Sequence, residues 1–126
     1  MREKPTKCFE SVNFLPKHAI IIGDYVQEKD RRMKELIDLI NQFRDERDWR
    51  KFHNEKDLAI SISLEASELL ELFQWKQSNE VVEKSLQEIK EELADVFMYS
   101  LMLADNLNLD VEEIIKEKID INSKKY

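Results

Sequence analysis

The residues of this sequence best suited to chemistry are four acids arranged in two Glu-x-x-Glu/Asp pairs. Glu65 and Glu68 form the first pair, and Glu92 and Asp95 form the second. Side chains three residues apart lie on one face of a helix, with Cβ atoms roughly 5–6 Å apart. Each pair can therefore bind a cation, and two facing pairs would form an oxygen-lined site for a divalent metal ion. Such a site is typical of metal-dependent chemistry on a phosphorylated substrate.

The ligand chemistry favours Mg²⁺, with Mn²⁺ as the alternative, because Zn²⁺ prefers nitrogen and sulfur donors. Neither histidine, His18 or His53, belongs to the Glu-x-x-His motif of di-iron helical proteins. A single glycine rules out a Gly-rich phosphate loop. Acids holding Mg²⁺ can bind a triphosphate, activate a water molecule and neutralise charge at phosphorus. The pattern therefore predicts hydrolysis of a phosphoanhydride.

The elements that would position these acids are helices. One Gly, two Pro and 37% charged residues indicate an all-α chain, and apolar spacing predicts four helices. Asn54 is the predicted N-cap of the second helix, Ser78 or Asn79 that of the third, and Asp110 that of the fourth. The predicted helices cover about 30–48, 55–75, 78–107 and 110–124. We expect a four-helix bundle-type subunit.

Length and charge limit the domain organisation and the partners. The 126 residues suffice for one domain, so we interpret 1–29 as an N-terminal extension and 30–126 as a helical catalytic domain. A net charge of −7 disfavours nucleic-acid polymers and anionic membranes but allows a small nucleotide carried with Mg²⁺. Cys8 has no disulfide partner, and the longest N-terminal apolar run, Ala19–Ile22, is too short for a signal peptide. We predict a cytoplasmic protein.

Helical wheels place the acids where apolar side chains are expected. Glu65 lies within the apolar stripe of the second helix and Glu68 at its edge, while Glu92, Asp95 and Tyr99 flank the stripe of the third. The two stripes consist of Leu58, Ile62, Leu69 and Leu72, and of Ile89, Val96 and Leu103. An unpaired buried carboxylate costs about several kcal/mol, so these acids need compensation. A metal ion could compensate their charge, and so could lysine or arginine partners. Alternatively, the helices could be rotated so that the acids face solvent.

The fourth helix carries two polar residues on its own apolar stripe. Lys118 and Asn122 share the face of Val111, Ile114 and Ile115. An inward ammonium and amide would suit a phosphate oxygen and a ribose or base edge. The alternative is that Lys118 extends past the apolar surface to water.

Aromatic residues offer stacking surfaces for a base. Trp49, Phe52 and His53 precede the second helix and Trp75 ends it. For each ring taken singly, ordinary packing is the favoured alternative. Tyr99, one turn beyond Asp95, could contact a sugar or cap the core.

The stretches 47–53, 64–76 and 91–99 resemble the MazG-like, all-α nucleotide pyrophosphohydrolase superfamily, within it the dCTP pyrophosphatase-like branch. The resemblance covers about 32–126. It implies that the four acids bind Mg²⁺ and are catalytic, and that water attacks the α-phosphorus of a (d)NTP, possible substrates being dCTP or a modified dNTP, to release the monophosphate and pyrophosphate. It further implies that Trp49, His53 and Trp75 shape the base pocket, and that Lys118 and Asn122 meet the phosphates or sugar.

Several points stay open in the sequence. Ile40 occupies the position where members of that branch carry a base-contacting histidine, so the preferred base is undecided. Glu71 or Glu91 could orient the water. Two other functions are conceivable: a non-catalytic helical interaction module, and a nucleotide-binding sensor.

Self-association is expected from apolar residues opposite the main stripes. These residues are Ile60 and Leu64 on the second helix and Met98, Leu101 and Met102 on the third. A small subunit would otherwise leave them in water. The resemblance favours a homotetramer built as a dimer of dimers.

Overall fold

The described part of the chain consists of helices joined by short turns. A computed structural model describes Glu28 and residues 31–126, and no strand occurs among these residues. Five α-helices and one 3₁₀ turn follow one another: α1 over 31–46, the turn over Arg50–Phe52, α2 over Glu55–Phe73, α3 over Ser78–Lys84, α4 over Leu86–Asn106 and α5 over Val111–Lys125. The all-α prediction is therefore confirmed. None of the described helices is long and apolar enough to cross a membrane.

The chain divides into two compact units, Met1–Asp38 and Leu39–Tyr126. In the first unit the described residues are helical, and all but the half-buried Glu28 and Ile37 are exposed. The predicted extension over 1–29 lies outside the described residues except for Glu28. Its boundary with a catalytic domain at residue 30 stays a prediction.

The core of the second unit lies along the pair formed by α2 and α4. Ile40, Leu58 and Met102 are the buried members of its central cluster. Met98 and Leu101 pack against that cluster, so the prediction that they and Met102 form an outward association face is wrong. The physical reason is that α4 is apolar on more than one side, and a wheel alone does not tell which side meets α2. Ile60 and Leu64 are exposed, as expected.

Two of the predicted N-caps are confirmed. The Asn54 side chain accepts a hydrogen bond from the Asp57 backbone N–H at 2.9 Å, and the Asp110 side chain accepts one from Glu113 at 2.9 Å. These bonds satisfy backbone donors that the first turn of a helix leaves free. They fix where α2 and α5 begin.

The predicted third helix is in fact two helices, α3 and α4, separated at Ser85. Ser85 leaves helical geometry, with φ −125° and ψ 28°. Gln77, and neither Ser78 nor Asn79, precedes the first helical residue of α3. The polar run Glu83–Lys84–Ser85 contains no apolar residue whose spacing could have revealed the break.

Helix α5 presents its apolar stripe to solvent. Ile114 and Ile115 are 37% and 52% exposed, and Lys118 and Asn122 are exposed as well. Within the single chain Lys118 therefore has the solvent-directed orientation that the sequence left open as the alternative, and Asn122 does not face inward. The wheel gave their common face correctly but could not show that this face lacks a covering helix in the described chain.

Candidate metal centre and the adjoining aromatic row

Two helices bring three carboxylates together. Glu65 and Glu68 of α2 and Glu92 of α4 each offer an oxygen, and these three oxygens lie within 4.8 Å of one another. Asp95 does not belong to this set, but its negative charge raises the pKa of both Glu65 and Glu92, which places it nearby. The structure thus gathers all four predicted acids in one region of the α2–α4 pair. We call Glu65, Glu68, Glu92 and Asp95 the acidic cluster.

Two members of the cluster, Glu65 and Glu92, have pKa values raised above that of an isolated glutamate. Burial, followed by the charges of Glu68, Asp95 and Glu92, raises the pKa of Glu65. Burial, followed by a hydrogen bond to Glu68 and the charges around it, raises the pKa of Glu92. Both shifts report that negative charge is disfavoured here. A bound cation would offset the repulsion between these carboxylates.

No described basic side chain supplies that cation. The ion pairs among described residues involve other acids, and none joins a lysine or arginine to a member of the cluster. The Glu92 Oε2 atom is buried without a hydrogen-bond partner in the described chain. A buried oxygen without a partner is costly, and an all-oxygen set fits a hard divalent ion. Glu65, Glu68 and Glu92 would hold it, with Asp95 beside them.

A row of rings leads away from the acidic cluster. The centroids of Tyr99 and His53 are 6.1 Å apart, those of His53 and Trp49 are 6.2 Å apart, and those of Trp49 and Phe43 are 5.3 Å apart, each pair in edge-to-face geometry. Burial and the charges of Glu65, Asp95 and Glu68 raise the pKa of Tyr99. Tyr99 therefore connects the aromatic row to the acidic cluster.

The row is held by the segment between α1 and α2. Asp48 adopts a left-handed conformation with φ 54°, and the Trp49 N–H donates to the Arg44 carbonyl at 2.9 Å, which ends α1. The Phe52 N–H donates to the Trp49 carbonyl at 2.9 Å. On the other side, the Asn106 amide of α4 donates to the His53 carbonyl at 2.8 Å. The backbone around Trp49 and His53 is thus fixed from both ends.

A buried polar network behind His53 was missed by sequence reasoning. Arg44 is 1% exposed and donates to His53 Nδ1 at 3.1 Å, to Asn41 Oδ1 at 3.0 Å and to Asn106 Oδ1 at 3.3 Å. Asn41 in turn donates to Asp105 Oδ2 at 2.9 Å. One signal was available: Arg44 lies four residues after Ile40 and continues the apolar spacing of α1.

Three predicted site residues are exposed, and within the described chain no hydrogen bond, ion pair or ring contact joins them to the cluster or the row. Lys118 and Asn122 are exposed on α5, and Trp75 is 96% exposed. Trp75 has φ 63°, and the Lys76 N–H donates to the Phe73 carbonyl at 3.2 Å across it. With Gln74 at φ −60° and ψ 129°, this is a type II turn in which Trp75 occupies the position that favours glycine. Their roles as site residues stay predictions.

Comparisons with known proteins agree with this architecture. The model of the MazG-like family matches residues 60–126, which contain all four acids of the cluster. The chain belongs to the MazG-like family. A pyrophosphatase from Archaeoglobus fulgidus, known from a crystal structure, is 45% identical with a TM-score of 0.73, and the match covers 75% of this chain and 92% of that one.

Curated mammalian relatives point to one branch of the family. Human dCTP pyrophosphatase 1 is 33% identical over 109 residues, covering 82% of this chain and 64% of the human protein. The rat protein of the same name is 31% identical over 109 residues, with the same 82% and 64% coverage. The chain thus spans a little under two thirds of these relatives. The resemblance to the dCTP pyrophosphatase branch of the MazG-like family is confirmed.

Proposed function

We propose that this protein is a Mg²⁺-dependent nucleoside triphosphate pyrophosphohydrolase. In the proposed reaction, water attacks the α-phosphorus of a (d)NTP and the bond from that phosphorus to the α,β-bridging oxygen breaks. The products are the nucleoside monophosphate and pyrophosphate. dCTP is one candidate substrate, since it appears in the names of the mammalian relatives, and a modified dNTP is another.

The observation that carries the proposal is the acidic cluster. Three carboxylate oxygens lie within 4.8 Å of one another, and the described chain provides no basic partner for them. In a non-catalytic interaction module the acids would be solvated or paired. Here Glu65 and Glu92 are half-buried, and one Glu92 oxygen is buried without a hydrogen bond. An arrangement that destabilises the empty fold is typical of a binding site.

The residues divide the work along the substrate. A divalent ion held by the cluster supplies charge neutralisation at the phosphates and a more acidic water. Tyr99 lies next to the cluster, and His53 and Trp49 follow it in the aromatic row. In the proposal, a nucleotide bound at the cluster by its phosphates extends its nucleoside part along this row. Glu71 and Glu91 are the two candidate acceptors for the proton of the attacking water. Glutamine substitution of each, assayed separately, would identify the acceptor by the larger loss of kcat.

The decisive experiment is a product analysis. The purified chain is incubated with each dNTP, with Mg²⁺ or with EDTA, and the products are separated by anion exchange. Formation of monophosphate and pyrophosphate with Mg²⁺ but not with EDTA supports the proposal. Formation of diphosphate and phosphate contradicts it. Glu68→Gln should abolish turnover, whereas Glu83→Gln on α3 removes the same charge outside the cluster and should leave turnover unchanged.

Two other functions give different outcomes in the same samples. A nucleotide-binding sensor would bind dNTPs without turnover, and Glu68→Ala would abolish that binding. An interaction module would show neither turnover nor a Mg²⁺-dependent rise in melting temperature, because only a ligand of the native state raises it.

The proposal includes a homotetrameric, cytoplasmic enzyme. Support for association comes from large apolar side chains that remain exposed in the described chain. Phe97 on α4 is 59% exposed, and Ile60 and Leu64 on α2 are 48% and 59% exposed. Exposed apolar surface of this kind is typical of subunit interfaces. A second subunit would also offer a way for Trp75, Lys118 and Asn122 to approach an acidic cluster.

A further inference from the structure

The single hydrogen bond between Arg44 and His53 determines the proton positions of His53. Arg44 Nε donates to His53 Nδ1 at 3.1 Å. A guanidinium has donors and no acceptor, and it stays protonated in proteins. His53 Nδ1 must therefore accept, which requires a lone pair on that nitrogen. A neutral imidazole with a free Nδ1 carries its proton on Nε2.

The surroundings of Arg44 hold it in the orientation that imposes this tautomer. Its Nη1 and Nη2 atoms donate to the amide oxygens of Asn41 and Asn106 at 3.0 and 3.3 Å. The Asn41 amide is fixed by Asp105, and the Asn106 amide donates to the His53 carbonyl. The guanidinium is thus bound on three sides and 1% exposed, so it is not free to turn away from His53.

The positive charge of Arg44 also opposes a second proton on His53. Burial, followed by the charge of Arg44, lowers the pKa of His53. A histidine that is kept neutral is a poor ligand for a triphosphate but a good neutral hydrogen-bond donor. This distinguishes His53 from a phosphate-binding residue.

The Nε2 atom is available to a ligand. No described residue forms a hydrogen bond with His53 Nε2. Among the described residues, the side-chain polar atom that is fully buried and also lacks a hydrogen-bond partner is Glu92 Oε2. His53 Nε2 is therefore not fully buried and is accessible. The His53 ring lies one ring beyond Tyr99, counted from the acidic cluster. With phosphates at the cluster, that position corresponds to the nucleoside.

We propose that Arg44 is a positioning residue that fixes His53 as the neutral Nε2–H tautomer, so that His53 donates a hydrogen bond to an acceptor atom on the nucleoside part of the substrate. This inference rests on the proposed function for the identity of the ligand. The tautomer itself is a property of the free protein and can be measured without turnover.

The first test is nitrogen-15 NMR of the imidazole rings in the full chain. The protein has two histidines, His18 and His53, so His18→Gln leaves one signal set to interpret. We expect the Nε2–H pattern at neutral pH, and a downfield shift of that proton when α,β-imido-dCTP and Mg²⁺ are added. An Nδ1–H pattern, an imidazolium, or an Nε2–H signal unchanged by the nucleotide would overturn the inference.

The second test uses substitutions that mimic one ring nitrogen. The His53→Gln amide can donate near the position of Nε2, whereas that of His53→Asn lies near Nδ1. We expect the KM of His53→Asn to be about three- to tenfold higher than that of His53→Gln, because His53→Asn loses one hydrogen bond to the substrate. The two variants should have similar kcat values. Equal KM values for the two variants would contradict the proposal.

Arg44 itself is tested by an apolar and a conservative replacement. Arg44→Met should convert the His53 signals to a mixture of tautomers and raise KM, and Arg44→Lys, which retains a charged donor, should restore part of both. If Arg44→Met does not fold, Arg44→Lys and the two His53 variants decide the question. If no nucleoside triphosphate is turned over, the proposed function fails, while the response of His53 to α,β-imido-dCTP still decides this inference.

Discussion

Glu65 on α2 and Glu92 on α4 place carboxylate oxygens within 4.8 Å of each other across the helix pair that carries the core. The pKa values of both residues are raised, first by burial and then by neighbouring acids. The metal-free fold therefore contains a repulsion that its own described residues do not relieve.

Glu92→Gln should raise the melting temperature of the metal-free protein and remove its response to Mg²⁺. The amide keeps the size of the side chain, carries no charge and can donate to Glu68. In the unmodified protein, Mg²⁺ at a hundred times its Kd should add about 2.7 kcal/mol to the free energy of unfolding. Differential scanning fluorimetry with EDTA or Mg²⁺ measures both effects.

Glu83→Gln is the matched control, because it removes one negative charge from an exposed position on α3. Its melting temperature should respond to Mg²⁺ like that of the unmodified protein. A full Mg²⁺ response in Glu92→Gln would show that Glu92 does not bind the ion.

The metal-free protein should lose stability through the acidic cluster as the pH rises from about 4.5, the ordinary pKa of a glutamate. Above that pH the unfolded chain releases protons that Glu65 and Glu92 still retain in the folded chain, so the native state binds more protons and its relative stability falls. The fall ends once the pH exceeds the raised pKa values of Glu65 and Glu92. Urea unfolding in EDTA between pH 4 and 8 measures it.

Other carboxylates also titrate in this range, so the informative quantity is the difference from Glu92→Gln. The free energy of unfolding of Glu92→Gln should fall less steeply with pH than that of the unmodified protein. Saturating Mg²⁺ should also reduce the pH dependence of the unmodified protein. Parallel curves for the two proteins in EDTA would contradict the assigned cause.

Trp75→Gly should stabilise the fold while weakening nucleotide binding. Trp75 occupies a left-handed turn position with φ 63° and is 96% exposed. A left-handed conformation costs a non-glycine residue roughly 1–2 kcal/mol, and the flexibility of glycine in the unfolded chain offsets part of the gain, leaving about 0.5–1 kcal/mol. Chemical unfolding tests the predicted gain in stability, and a KM measurement tests the predicted loss of nucleotide binding.

Asn108→Gly provides the control for Trp75→Gly, because Asn108 also has a positive φ, of 53°, at the end of α4. It should leave KM unchanged. If Trp75→Gly also leaves KM unchanged, the turn geometry of Trp75 has no relation to binding.

Phe97→Glu should convert the associated protein to smaller species. Phe97 is 59% exposed on α4, and an added charge at the centre of an apolar interface would have to be buried without a partner. Val82→Glu, at a 48% exposed apolar position on α3, is the comparison. Analytical ultracentrifugation measures both, and a monomeric unmodified protein would refute the proposed tetramer at once.

The helical class and the convergence of the acids could be predicted because both depend on local periodicity. Glu65 lies within an apolar stripe and Glu92 lies beside one, and a stripe shows which side chains share a face. It does not show which face meets a neighbour. For that reason the stripe of α4 could not show that Met102 lies in the core, and the stripe of α5 could not decide between the inward and the solvent-directed orientation of Lys118, which is exposed.

Arg44 could not be identified from its residue type, because arginine on a charged helix is ordinarily solvated. Its partners His53 and Asn106 are separated from it by 9 and 62 positions along the chain. Only the fold brings them together. The break at Ser85 was equally hidden, since a polar stretch has no apolar period to interrupt.

The α2–α4 pair carries both the acids and the aliphatic cluster of Leu58 and Met102. The separation of these helices therefore sets the width of the gap between opposing carboxylates. We expect a change of volume at Leu58 or Met102 to alter the affinity of the proposed ion site without touching any of its carboxylate oxygens.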